Sequence, residues 1–108
     1  MAKLIEYASR EEAAAARKLV DLILDKGWSI SVNDGEEWTV KRCLDRKAIL
    51  SSLCTTGQDT LRLHEPDGCG IGVLLLVWGN SAPELVADYT DNPEINAVWD
   101  EWHALVDA

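Results

Sequence analysis

The stretch Gly70 to Asn80, Gly-Ile-Gly-Val-Leu-Leu-Leu-Val-Trp-Gly-Asn, limits what this chain can fold into more than any other. Val73 to Val77 is an unbroken apolar run of five residues, with Gly72 before it and Gly79 soon after. A run that short, bounded by glycines, predicts a strand covered on both faces. A membrane-spanning helix would need about 20 apolar residues, so no membrane partner is expected. The stretch is expected to be the central strand of a mainly antiparallel sheet, with the other elements packed around it.

The remaining elements follow from local patterns. Ser9 and Glu12 have the spacing of a capping box, and alanines 13–16 favour helix. Leu19, Val20, Ile23 and Leu24 supply a buried stripe, and Gly27 can close the helix in a left-handed conformation. A first helix is therefore expected over about residues 9–26, with residues 1–8 as an extension or docked tail. Trp28, Ile30 and Val32 alternate with Ser29, Ser31 and Asn33, as in a half-buried strand. Asn33-Asp34-Gly35 is a turn signal, and Trp38 and Val40 alternate on the return, giving a hairpin over 28–42. Asp45 can cap a short helix through Leu53. Thr60 to His64 alternates again, Pro66-Asp67-Gly68 makes a turn, and Glu84 to Tyr89 reads as a strand paired with the central one. Asn92 or Asp91 caps a third helix that has Pro93 at its first position. Ile95, Val98, Trp99, Trp102, Leu105 and Val106 form its apolar stripe.

The order α-β-β-α-β-β-β-α predicts a single α+β domain over residues 1–108, a five-stranded mainly antiparallel sheet with flanking helices. That order is similar to roadblock and profilin-like layouts. The likeness lies in element order alone and implies no function.

Charge and aromatic content narrow the function classes. Residues 1–58 hold nine basic and nine acidic side chains, whereas residues 59–108 hold Arg62 against ten acids. The whole net charge of −9 thus sits in the second half, so direct nucleic-acid binding there is not expected. A solvated acidic face is the plain reading. A sharper one is a surface for a basic protein partner, formed by Asp88, Asp91, Glu94, Asp100 and Glu101. Phe is absent and Trp occurs five times, and each indole N–H needs a partner. Trp38, Trp78, Trp99 and Trp102 are candidates for an interaction surface, to be weighed against Trp as the large filler of a core without Phe.

No catalytic, cofactor or metal site is expected. Cys43, Cys54 and Cys69 form no Cys-x-x-Cys pair, and reduced thiols in a cytoplasm are the simplest reading. His64 and His103 lack further ligands at metal spacing, Asp107 four residues after His103 offering one more at most. Asp88 to Asn92 has oxygens spaced like a calcium loop, but Pro93 and Trp99 stand where glycine and glutamate belong. Cys54 with His64 would be a nucleophile and base with no orienting acid. Gly68, Gly70 and Gly72 lead into a strand rather than a helix, which does not make a phosphate loop.

Ser31-Val-Asn-Asp-Gly-Glu-Glu-Trp-Thr-Val-Lys-Arg42, Leu76-Val-Trp-Gly-Asn80 and Asp88-Tyr-Thr-Asp-Asn92 resemble stretches of small uncharacterised bacterial and phage-type proteins. The resemblance covers about the middle two thirds of the chain. It implies an accessory protein of a bacterium or mobile element and assigns no functional positions. Taken together, the expectation is a small non-catalytic protein-interaction module, self-associating as a dimer. The alternatives are an acidic inhibitor that imitates nucleic acid and a small hydrolase or transferase. If all three helices lie on one side of the sheet, alternate residues of Val73–Val77 would face outward and call for a second subunit.

Overall fold

Helix α1 (Arg10–Asp25) lays Ala13, Ala16, Leu19, Val20 and Ile23 on the sheet and ends at Gly27, whose φ of +84° closes it. The computed structural model describes residues 10–54, 57–79 and 81–106. Ser9, the expected cap, the apolar residues before it and Asp107 fall outside them. Glu12 is buried, and its carboxylate accepts from the Gly79 backbone N–H at 3.0 Å, joining α1 to the end of the fourth strand.

Strands β1 (Ser29–Asn33) and β2 (Trp38–Cys43) form the expected hairpin. Its turn is held by side chains: Asn33 Oδ1 accepts from Gly35 N–H, and Asp34 Oδ1 accepts from Glu36 and Glu37 N–H. Helix α2 (Arg46–Ser52) starts at Asp45, whose carboxylate accepts from Lys47 N–H at 3.0 Å. Strands β3 (Gln58–His64) and β4 (Gly70–Val77) follow, then a short 3-10 turn (Ala82–Glu84) and β5 (Val86–Tyr89). Helix α3 (Pro93–Val106) is capped by Asn92, which accepts from Ile95 N–H at 2.8 Å and donates to the Ile71 carbonyl. The fold is α+β, one antiparallel sheet of order β2-β1-β3-β4-β5 with three helices.

One face of the sheet carries the core. Ile30, Val32, Leu61, Leu63, Leu74 and Leu76 point to the same side, and all are fully buried. They share a single apolar cluster with Leu19, Val20 and Ile23 of α1, Ile49 and Leu50 of α2, and Ile95, Val98 and Trp102 of α3. All three helices therefore lie on one side. Exposed ion pairs link their outer edges, Lys26 with Glu101 at 2.9 Å and Arg46 with Asp21.

This arrangement corrects the expectation for the Gly70–Asn80 stretch. β4 is an inner strand, paired with β3 and β5 as expected, but it is covered on one face only. Val73 is 37% exposed, and Leu75 and Val77 are half-buried. The apolar run reads as doubly buried because its outward residues are as apolar as its inward ones. All three helices are spent on the one core face, so none is left to cover the other.

Candidate functional site

The second face of the sheet has no helix over it. Direct pairing sets its rows: Trp38, Asn33, Thr60, Leu75 and Asp88 lie across the five strands in one row. Ser31, Arg62 and Val73 form the next, and Ser29, His64 and Gly70 a third. Trp38 is 39% exposed on this face.

A bulge in β2 shapes the cationic end. Ile30 pairs with Cys43 and Val32 with Val40, so Lys41 and Arg42 together oppose the single residue Ser31. Arg42 takes a φ of +46°, a left-handed backbone uncommon outside glycine. The Ser31 hydroxyl oxygen accepts from Arg42 N–H at 2.9 Å and lies 3.0 Å from His64 Nε2. Arg42 then reaches over the β3–β4 turn, its guanidinium near Gly68, while that of Arg62 lies near Gly70. Together Ser31, Trp38, Lys41, Arg42, Arg62 and His64 line a depression of about 230 Å³.

His64 is buried in this depression although no helix covers it. Burial holds its ring below the ordinary imidazole range, and the positive charges of Arg42 and Arg62 push the same way. The Gly68 backbone opposes that shift as an acceptor for the ring, although Nδ1 makes no hydrogen bond within ordinary distance and angle limits. The charged groups of Lys41, Arg42 and Arg62 make no ion pair or hydrogen bond among the described residues, where the ion pairs are Lys26–Glu101 and Arg46–Asp21.

The expected surface residues divide. Trp38 is on the open face, as the Asp88 position is. Trp78 and Trp102 are corrected: both are buried, because each indole N–H finds an acceptor inside the fold, Asp59 for Trp78 and the Ala15 carbonyl for Trp102. Trp99 is half-buried, stacked between Tyr89 at 5.7 Å and His103 at 4.5 Å. Asp91, Glu94, Asp100 and Glu101 are exposed on α3 or just before it, Asp91 accepting from the Asn96 amide. Cys54 and His64 are not brought together, since Cys54 lies in the core cluster on the helix side.

The β3–β4 turn gathers Glu65, Asp67 and Cys69, with potential ligand atoms within 4.8 Å of one another, a set the alternate spacing of these residues could have flagged. All three are exposed, and turn geometry accounts for the two closest: Asp67 accepts from Cys69 N–H at 2.9 Å. The Asp67 carboxylate also pushes the Cys69 thiol up, against the thiolate that metal ligation needs. The residues of this depression that sequence reasoning missed are Ser31, Lys41, Arg42 and Arg62, whose grouping depends on the bulge and on strand order. No helix among the described residues is long and apolar enough to cross a membrane. The chain matches no family model, no curated protein and no solved structure.

Proposed function

We propose that the protein is a small non-catalytic interaction module that self-associates through the open face of its sheet. The observation that carries this reading is the outward placement of Trp38, Val73 and Leu75, in two adjacent rows of a face without a helix. Charge commits the occupant to a second copy. Lys41 and Arg42 lie on β2 at one edge of the face, Arg62 on the middle strand β3, and Asp88 on β5 at the other edge. A two-fold axis lying in the interface parallel to the strands would set one copy's β5 edge over its partner's β2 edge. Opposite charges would then meet around a shared apolar centre.

Cys43, Cys54 and Cys69 form no disulfide with one another, which suits a reducing, cytoplasmic setting. Imitation of nucleic acid draws less support, because it needs rows of carboxylates. Glu65 and Asp67 are on a turn, Asp88 on β5, Glu94, Asp100 and Glu101 on α3, and Asp59 is buried. Sedimentation equilibrium over a wide concentration range tests the proposal. The wild-type chain should dimerise and Leu75→Glu should remain a monomer. A wild-type chain that stays monomeric at every concentration refutes it.

A further inference from the structure

We infer that the depression between the β2 bulge and the β3–β4 turn is a binding site for a phosphate monoester, with Arg42, Arg62 and Lys41 as its ligands. It lies within one chain on the face assigned above to self-association, so an anion and a second copy would compete for the same three cations. The first observation is charge placement. In a chain with 19 acidic side chains, three cationic ones line one depression and none is paired with a described carboxylate. Two of them are there because β2 bulges, at the expense of a left-handed backbone at Arg42.

The second observation is the polar pair beneath them. Ser31 Oγ already accepts from Arg42 N–H, so its own hydrogen is best used by donating to His64 Nε2. That places the ring proton on Nδ1, a buried donor beside the Gly68 backbone that makes no hydrogen bond within ordinary distance and angle limits. The other tautomer leaves both the Ser31 hydrogen and the Nδ1 lone pair unused. A neutral ring flanked by two uncompensated guanidinia marks a pocket of positive potential that lacks only its anion.

The geometry favours phosphate over carboxylate. One guanidinium saturates the two coplanar oxygens of a carboxylate. Three cationic side chains from β2 and β3 lining one depression suit a tetrahedral dianion that offers an oxygen to each. Trp38, at the rim, adds a flat ring on which a base could stack. The phosphate group could thus come free or as part of a nucleotide.

Titration of the His64 ring and Trp38 indole NMR signals with inorganic phosphate and with AMP tests this. It is done at low salt and at a protein concentration where the wild-type chain is monomeric. Saturable shifts are expected, with the His64 titration midpoint rising in saturating phosphate as the anion offsets the two arginines. Arg42→Gln and Arg62→Gln should each weaken binding about tenfold. Lys47→Gln, which removes the same charge from α2 in the helix layer, should leave it unchanged. Tighter binding of AMP with a Trp38 shift identifies a nucleotide as the source, and equal affinities identify the phosphate group alone. No saturable shift with either up to about 20 mM, or equal affinity in a folded Arg42→Gln, Arg62→Gln double variant, overturns the inference.

Discussion

The Trp78 indole N–H donates to Oδ2 of Asp59 at 2.8 Å, joining β3 to the residue that follows β4 inside the core. The same oxygen accepts from Cys54 N–H at 2.8 Å, just past α2, where Cys54 holds a φ of +60°. One buried carboxylate thus fixes an aromatic side chain and a strained helix exit. Its other oxygen, Oδ1, has no partner, and burial pushes the Asp59 carboxyl above its ordinary value despite the two donors.

Asp59→Ala leaves two buried N–H groups without an acceptor and should destabilise the fold by about 2–4 kcal/mol. Asp59→Asn keeps an oxygen for both donors and removes the buried charge, so its cost should be much smaller. The sign of the pH effect follows from a folded-state value raised above 3.8. The folded protein holds this proton more tightly, so the stabilisation is full below 3.8 and is lost as pH rises through the folded value. Urea denaturation across acidic pH should show this slope in the wild-type chain and lose it in Asp59→Asn. An Asp59→Ala variant as stable as wild type would refute the role.

Gly72 is present because α3 passes close over β4. A Cβ there would sit 2.7 Å from Ile95 Cγ1 and 3.0 Å from Thr90 Cβ. Gly72→Ala should therefore cost about 1–3 kcal/mol through overpacking. Adding Ile95→Val, which removes a methyl from the crowded side, should recover part of the loss in a double-mutant cycle. Additive effects would show that the two sites are independent.

His64 makes stability depend on pH in the opposite sense to Asp59. Its folded-state value is held below 6.5 by burial first and by Arg42 and Arg62 after it. As pH falls, the unfolded chain binds the proton first. The contribution is full above 6.5 and is lost as pH drops towards the folded value. Thermal melts between pH 7.5 and 5, roughly the range of an imidazole, should fall with pH in the wild-type chain and flatten in His64→Gln. An unchanged slope in the variant would assign the effect elsewhere.

Asp88 supplies the anionic edge of the open face, opposite Leu75. If two copies pair as proposed, Asp88→Lys should raise the dissociation constant about threefold to tenfold, since rim charges contribute modestly. Added salt should narrow the gap between variant and wild type. A variant that associates as tightly as wild type at low salt would remove the charge argument for a two-fold pair.

Local patterns carried the elements. Apolar residues at helical spacing placed α1 and α3, and the Asn33-Asp34-Gly35 turn placed the hairpin. Asp45 and Asn92 cap their helices as their side chains allow. Each of these is decided by contacts within a few residues, which is why the order of elements was readable in advance. The burial of Trp78 and Trp102 was not. An indole N–H shows that it needs an acceptor, but not whether Asp59 or the Ala15 carbonyl will come within reach.

The Gly70–Asn80 stretch marks the same division. Its length and bounding glycines marked it as a strand rather than a helix, and the short turns on either side implied antiparallel neighbours. Only the tertiary structure decided that β3 takes the middle of that sheet and that every helix packs on one side. Which side a helix takes depends on how the whole set of apolar faces is buried together. The β2 bulge that gathers Lys41 and Arg42 opposite Ser31 depends likewise on the register of paired strands, which no single segment specifies.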